Sequence, residues 1–117
     1  MPSIFHITTA AAWEAARAAG RYAPPSLESE GFIHFSSAEQ VTRVANAAFR
    51  GTPDLVLLRV ATDRLTGPLR YETADDIDER FPHLYGPLGL DAVVDVLPFP
   101  EGPDGFALPP QARRRLS

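Results

Sequence analysis

The alternation of apolar and polar residues along the chain predicts several short strands. A strand over Ser3 to Ile7 would place Ile4 and His6 on one face, with Phe5 on the other. Further strands are predicted over Gly31 to Phe35, Leu55 to Ala61, Leu69 to Glu72 and Asp91 to Leu97. The second of these runs is almost entirely aliphatic, so it suits the centre of a sheet.

A first helix is predicted directly after the first strand. Thr8 or Thr9 would cap an alanine-rich segment from Ala10 to Ala19, which carries Trp13 towards the core and stops at Gly20. The proline-containing segment that follows, residues 21–30, is expected to be a loop.

A second helix is predicted after the second strand. Ser36 and Glu39 have the spacing of a capping box, and Gly51 ends the helical pattern. One apolar face follows from the i, i+3, i+4 positions Val41, Val44, Ala45, Ala48 and Phe49. Strands and two helices together predict an α+β fold with small mixed or antiparallel sheets.

Length and charge indicate one globular domain over residues 1–110. The chain has 117 residues, of which 44% are hydrophobic and 22% charged, and its net charge is −4. The basic cluster Arg113 to Arg115 falls in the segment 111–117, which is expected to be a flexible tail. Because no other basic cluster is visible, strong nucleic-acid binding is not expected. The sequence leaves the oligomeric state open.

Missing residue types exclude several classes of chemistry. The sequence contains no cysteine, which excludes disulfides, zinc–thiolate sites and thiol nucleophiles. It contains no lysine either, which excludes Schiff-base catalysis and a lysine-containing phosphate loop. No apolar run reaches the length of a membrane span and no export signal is recognisable, so a cytoplasmic protein is expected.

Two histidines stand in similar local contexts. His6 is followed by Thr8, and His34 by Ser36, on the same strand face just before a predicted helix start. A strand end followed by a helix N-terminus offers backbone N–H groups to an anion, which suggests a small anionic or nucleotide-like ligand. The alternative is that the hydroxyls only cap helices and the histidines are structural.

A third histidine lies in a segment rich in proline, glycine and aromatic residues. The segment 81–87 is expected to be a rigid loop that holds His83 and Tyr85 in fixed directions. Glu72 ends a predicted strand, where a carboxylate could orient a ribose hydroxyl or stabilise developing positive charge. The acidic stretch from Glu72 to Glu79 lacks the spacing of a calcium loop, and no metal site is expected.

These segments resemble a bacterial family known as domain of unknown function 952. The resemblance covers most of the chain and rests on five segments: Ile4-Phe5-His6-Ile7-Thr8, Gly31-Phe32-Ile33-His34-Phe35-Ser36-Ser37, Asp54-Leu55-Val56-Leu57-Leu58, Arg70-Tyr71-Glu72 and Phe81-Pro82-His83-Leu84-Tyr85-Gly86-Pro87-Leu88. Members of this family look like a compact form of the ADP-ribosyltransferase fold, which binds NAD between two small sheets.

The resemblance implies roles for particular residues. His6, Thr8, Ser36 and Tyr85 would contact NAD or ADP-ribose, and His34, Glu72 and His83 would be catalytic, with either Glu72 or His83 directing the transfer. The catalytic glutamate pattern usual in such transferases is not evident. Two alternatives remain open: a non-enzymatic ligand-binding or interaction module, and a two-histidine phosphoesterase that uses His6-Ile7-Thr8 and His34-Phe35-Ser36 as acid and base.

Overall fold

A computed structural model describes residues 3–73 and 78–113. Eight strands are found in these residues: β1 (Ser3–Thr9), β2 (Arg21–Tyr22), β3 (Ile33–His34), β4 (Leu55–Ala61), β5 (Leu69–Thr73), β6 (Arg80–Leu84), β7 (Leu88–Gly89) and β8 (Val93–Pro98). The same residues form three α-helices: α1 (Ala10–Ala19), α2 (Pro25–Ser29) and α3 (Ala38–Ala48). Short 3₁₀ turns occupy Thr62–Arg64, Leu90–Ala92 and Pro110–Arg113.

The prediction of α1 is confirmed at both ends. The side chain of Thr9 accepts a hydrogen bond from the Ala12 N–H at 3.1 Å, so Thr9 rather than Thr8 is the cap. Gly20 ends the helix in the left-handed region at φ 86°, where a side chain would be strained. Trp13 is buried, as its position in the helix predicts.

The start of α3 differs from the prediction by one residue. The capping box is formed by Ser37 and Gln40, and not by Ser36 and Glu39. The side-chain oxygen of each residue accepts a hydrogen bond from the backbone N–H of the other. Ser36 is engaged elsewhere: its N–H and C=O exchange two 2.8 Å hydrogen bonds with Phe5. Because this bridge holds Ser36 in extended geometry, the helix begins after it.

Three small sheets form the β structure, and every described strand pair is antiparallel. The strand orders are β1-β4-β8, β3-β6-β5 and β2-β7. The aliphatic run of β4 lies at the centre of the first sheet, as predicted. The architecture is therefore α+β with small antiparallel sheets, and a short third helix, α2, stands where only a loop was expected.

The β1-β4-β8 sheet separates two apolar cores. One core joins Ile4 and Leu58 to Trp13 of α1 and to Ile33 and Leu84 of the β3-β6-β5 sheet. The other core covers the opposite sheet face and contains Phe5, Ile7, Leu57, Val41, Ala45, Leu97, Phe99 and Phe106, among others. Alternation along β1 produces this division, as predicted for Ile4 and Phe5. The Cα radius of gyration of 13.4 Å suits a single compact domain.

Other sequence predictions need correction. The expected loop over 21–30 contains β2 and α2, and the expected loop over 81–87 contains most of β6. Proline obscured β6, yet Pro82 fits because the C=O of Pro82 accepts from the Phe35 N–H at 2.9 Å on the β3 side. The Pro82 nitrogen, which has no hydrogen to donate, faces the same side. No ladder hydrogen bond is lost there, because the pairing of β3 with β6 ends at His34. The strand predicted over 31–35 is observed only over Ile33–His34, and the strand predicted over 91–97 is observed over Val93–Pro98.

The end of the described chain is packed and not frayed. Gln111 to Arg113 lie in a 3₁₀ turn, and Ala112 is buried in the second core. The buried guanidinium of Arg59 donates to the Gln111 C=O at 2.7 Å, which ties this turn to β4. The remainder of the expected tail lies outside the described residues. Within residues 3–73 and 78–113, no helix is long and apolar enough to cross a membrane.

Replacement of the two neighbouring serines should distinguish the observed cap from the predicted one. Ser37→Ala removes the acceptor for the Gln40 N–H and should lower the free energy of unfolding by about 1 kcal/mol, or about 4 °C in Tm. Ser36→Ala leaves the backbone bridge intact and removes no helix cap, so it should lower stability clearly less than Ser37→Ala does. Thermal unfolding of both variants checks this, and a larger loss in Ser36→Ala would contradict the assignment.

Candidate functional site

One face of the β3-β6-β5 sheet collects most of the polar residues predicted to be functional. His83 in the central strand stands directly opposite His34 on one side and Arg70 on the other. Alternation along β5 places Glu72 on the same face as Arg70, and Tyr85 follows β6 two residues beyond His83. The opposite face, with Ile33 and Leu84, is buried in the core.

Glu72 accepts hydrogen bonds from two other polar residues of this face. Its Oε1 atom accepts the Tyr85 O–H at 2.5 Å and a hydrogen bond from His83 Nδ1 at 3.0 Å. Donation by Tyr85 and then by His83 stabilises the carboxylate, so the pKa of Glu72 is lowered from its ordinary value of 4.5. The same contact raises the pKa of Tyr85. Glu72 is therefore an oriented carboxylate at neutral pH.

His83 is buried, with 2% of its surface exposed. The ring of Phe32 stacks on its imidazole at a centroid distance of 4.0 Å and an interplanar angle of 16°. Because ionised Glu72 can only accept, Nδ1 of His83 carries a proton, and in this tautomer Nε2 presents a lone pair. Within the described residues Nε2 is buried without a hydrogen-bond partner.

His34 is exposed and lies beside this pair. Its Nε2 atom is 2.9 Å from Glu30 Oε2, and its ring meets the ring of His83 edge to face at 5.4 Å. Almost half of both the His34 and Glu30 side chains is in solvent, so this contact contributes little to stability.

An open cleft of about 580 Å³ runs beside Glu72 and His83. Its lining consists of Phe32, Tyr71, Glu72, Thr73, Arg80, His83 and Tyr85. Arg70 contacts one of these lining residues, because its guanidinium lies 5.3 Å from the centre of the Tyr85 ring. We call this the Glu72 cleft. It joins one carboxylate, exposed cationic groups and aromatic rings.

His6 belongs to a separate, interior network. Its Nδ1 atom is 2.6 Å from the His34 C=O, and its Nε2 atom is 2.7 Å from the Tyr22 hydroxyl. A carbonyl only accepts, so Nδ1 carries the proton and Nε2 accepts from Tyr22. The Thr8 hydroxyl lies 3.0 Å from the Tyr22 oxygen. Burial, more than any other influence, lowers the pKa of His6 to about 4.

The structure thus divides the predicted site residues into two groups. His34, Glu72, His83 and Tyr85 come together on one sheet face. His6 and Thr8 lie in the interior network, and Ser36 is buried in its bridge with Phe5, so none of these three lines the Glu72 cleft. Thr8 instead borders another cleft, lined largely by alanines of α1.

Sequence reasoning assigned no role to Phe32, Arg70, Tyr71 or Arg80. The period of two along β5 was a usable signal for Arg70, because it places Arg70 beside Glu72. No comparable signal existed for Phe32, since its contact with His83 depends on the pairing of β3 with β6.

The acidic stretch is only partly described. Asp75 and Asp76 lie outside the described residues. Glu79 accepts from Arg43 and Gln40, and these two donors lower its pKa to about 2, which makes it a structural link between α3 and β6. Among the residues the structure describes, no group of three or more His, Asp or Glu side chains is arranged to hold a metal ion.

The fold and cleft define a small α+β protein with a glutamate–histidine pair in a polar, aromatic-lined cleft. The chain belongs to the family described as "Protein of unknown function (DUF952)", whose model matches residues 7–96. No curated protein sequence matches the chain significantly.

Solved structures of protein CC0527 from Caulobacter crescentus are similar to this chain. One crystal structure has a TM-score of 0.79 at 38% identity and covers 89% of this chain and 91% of that chain. The solution NMR structure of the same protein has a TM-score of 0.77 at 38% identity and covers 91% of both chains. These similarities support the fold and give no function.

Loss of the Tyr85 hydroxyl should raise the pKa of Glu72. Tyr85→Phe removes the donor with the largest influence on the carboxylate, so the pKa should move up towards 4.5. Tyr71→Phe is the matched control, because the exposed Tyr71 has no hydrogen bond to Glu72. Carboxyl ¹³C chemical shifts followed against pH measure both effects, and equal titration of the two variants would refute the hydrogen-bond assignment.

His6 should make the fold sensitive to acid. Its pKa is about 4 in the folded state against 6.5 ordinarily, so the unfolded chain binds this proton more readily. The resulting contribution to the free energy of unfolding is complete above pH 6.5 and is lost as the pH falls towards 4. Urea unfolding at several pH values should show this loss, and the loss should shrink in His6→Asn. An identical pH dependence in both proteins would contradict it.

Proposed function

We propose that the Glu72 cleft binds NAD or ADP-ribose, and that the protein acts as an ADP-ribosyltransferase-like enzyme on the ribose of this ligand. The observation that carries the proposal is the state of Glu72: one carboxylate oxygen is held by Tyr85 and His83 while the residue lines an open cleft. An oriented, ionised carboxylate is the group that transfer at an anomeric carbon requires, because positive charge develops there.

The two carboxylate oxygens of Glu72 have different roles. Oε1 is engaged by Tyr85 and His83, whereas Oε2 has no hydrogen bond to any described residue. Oε2 can accept a hydrogen bond from a ribose hydroxyl of the ligand. The orientation of the carboxylate is already fixed through Oε1. Pre-orientation of this kind stabilises a transition state because no side chain has to be reorganised as charge develops.

The charges and rings around Glu72 fit a dinucleotide. Arg80 lines the cleft, Arg70 lies on the same face of β5 as Glu72, and neither guanidinium has a hydrogen bond to another described residue. Their donors suit the two phosphates of the ligand. Tyr71 offers an aromatic ring that is 52% exposed, which suits stacking against a base. The cleft volume of about 580 Å³ lies within the usual range for such ligands.

The geometry does not favour a two-histidine phosphoesterase. Both ring nitrogens of His6 are engaged, by the His34 C=O and the Tyr22 hydroxyl, and His6 does not line the Glu72 cleft. An acid–base pair must reach the same phosphodiester, which His6 cannot do without loss of its partners. A non-enzymatic binding module is the alternative that the following experiment separates.

Binding and turnover are measured separately. ADP-ribose should raise Tm in a concentration-dependent way, and Arg80→Gln should weaken its binding about tenfold through loss of a charge-assisted contact. Arg21→Gln, which removes an exposed arginine outside the cleft, is the matched control. Glu72→Gln should lower nicotinamide release from NAD about 100-fold, whereas Glu28→Gln, an exposed carboxylate on α2, should not.

Each result has a defined meaning. Binding of ADP-ribose with no consumption of NAD would establish a binding module in place of an enzyme. No rise in Tm with millimolar NAD or ADP-ribose would refute the proposal.

A further inference from the structure

His83 carries a buried lone pair that the proposed function has not used. Its Nδ1 atom is fixed by Glu72, one face of its ring is covered by Phe32, and the centroid of the His34 ring lies 5.4 Å from its own. These contacts leave Nε2 buried without a partner among the described residues. An unpaired buried acceptor destabilises the fold, so a purely structural histidine would gain from a partner at this position.

Phe32 is the side chain that covers one face of the His83 imidazole. It lines the Glu72 cleft, and its ring contacts are with His83, His34 and Tyr85. Phe32 is only half-buried and follows Gly31, whose φ of 89° marks a turn. Its ring is therefore held mainly by side-chain stacking, which a ligand ring in the cleft can replace.

We propose that Phe32 is a movable cover and that His83, uncovered by the ligand, is the base that accepts the proton of an acceptor hydroxyl. This inference rests on the proposed function. In the step, the acceptor O–H bond breaks and its proton passes to Nε2, while the acceptor oxygen bonds to the anomeric carbon. The glycosidic bond to the leaving nicotinamide breaks, and its electron pair stays on the nicotinamide. The acceptor is water or an alcohol.

Glu72 is a positioning residue in this step as well as a ligand contact. Its lowered pKa makes it a weak proton acceptor, and Oε1 is occupied by two donors. Through Nδ1 it fixes the tautomer of His83 and stabilises the imidazolium that forms when Nε2 takes a proton. The arrangement therefore assigns charge stabilisation to Oε2 and proton transfer to the imidazole.

The cover can be tested without any nucleotide. Diethyl pyrocarbonate acylates accessible, unprotonated imidazole nitrogens, and mass spectrometry locates the adduct. In a His34→Gln background, which removes the exposed histidine, His83 should react slowly, and Phe32→Ala should accelerate its modification at least tenfold. Tyr71→Ala, which removes a cleft ring not stacked on His83, should leave the rate unchanged.

Two outcomes of the modification experiment would overturn the cover. One is unchanged slow modification of His83 in Phe32→Ala when thermal unfolding shows that this variant is folded. The other is fast modification of His83 while Phe32 is present. If Phe32→Ala does not fold, Phe32→Leu keeps the apolar bulk without a flat ring to stack, and the same acceleration is expected there.

The base role is tested with a variant that keeps the contact to Glu72. His83→Asn retains a side-chain N–H near the position of Nδ1 but lacks Nε2, so ADP-ribose should bind within a few-fold of the parent. Nicotinamide release should fall about 100-fold, and added imidazole should restore part of it. Imidazole should not restore Glu72→Gln, because that variant lacks the carboxylate and not the base.

The outcomes separate the base role from the proposed function. Full turnover in His83→Asn, or a loss that imidazole leaves unchanged, would overturn the base role while binding and the effect of Glu72→Gln stand. Absence of NAD and ADP-ribose binding in the parent protein would overturn the proposed function and the base role together. The modification rates would then still decide whether Phe32 covers His83.

Discussion

The paired backbone hydrogen bonds between Phe5 and Ser36 are the connection on which this architecture depends. Both are 2.8 Å long, and they join the edge strand β1 to the segment that leads from β3 into α3. The bridge delays the start of α3 to Ala38 and brings the His34 carbonyl within 2.6 Å of His6. The β3-β6-β5 sheet is therefore held against β1, and its polar face is turned away from the shared core.

Sequence reasoning succeeded where a signal was local. Thr9 and Gly20 define α1 by themselves, and the aliphatic run of β4 needs no partner to be recognised. It failed where pairing decided the outcome. Pro82 and Gly86 suggested a loop. However, Pro82 lacks its N–H only on the edge of β6 that faces β3, at the point where the two-residue strand β3 ends. The cap shifted to Ser37 because a long-range bridge took Ser36, which no nearby residue reveals.

The same distinction explains what could be predicted of the candidate site. The residue types were visible, and His34, Glu72, His83 and Tyr85 do assemble. The repeated context of His6 and His34 suggested equivalent roles, but the surroundings of the two rings are opposite. His6 is enclosed, with both nitrogens engaged, whereas the His34 ring is exposed and only its carbonyl is used by His6. Equal local sequence did not produce equal environments because β1 is covered on both faces and β3 on one.

The contrast between His6 and His83 is the strongest physical argument for the proposed location of the chemistry. Both imidazoles are largely removed from solvent, and both have Nδ1 directed at an oxygen. For His6 that oxygen is a neutral carbonyl and Nε2 has a partner, so all of its hydrogen-bonding capacity serves the fold. For His83 the oxygen belongs to a carboxylate, and Nε2 is buried without a hydrogen-bond partner among the described residues. A carboxylate interacts more strongly with an imidazolium than a carbonyl does, so of these two rings His83 has the partner that suits the proposed proton transfer.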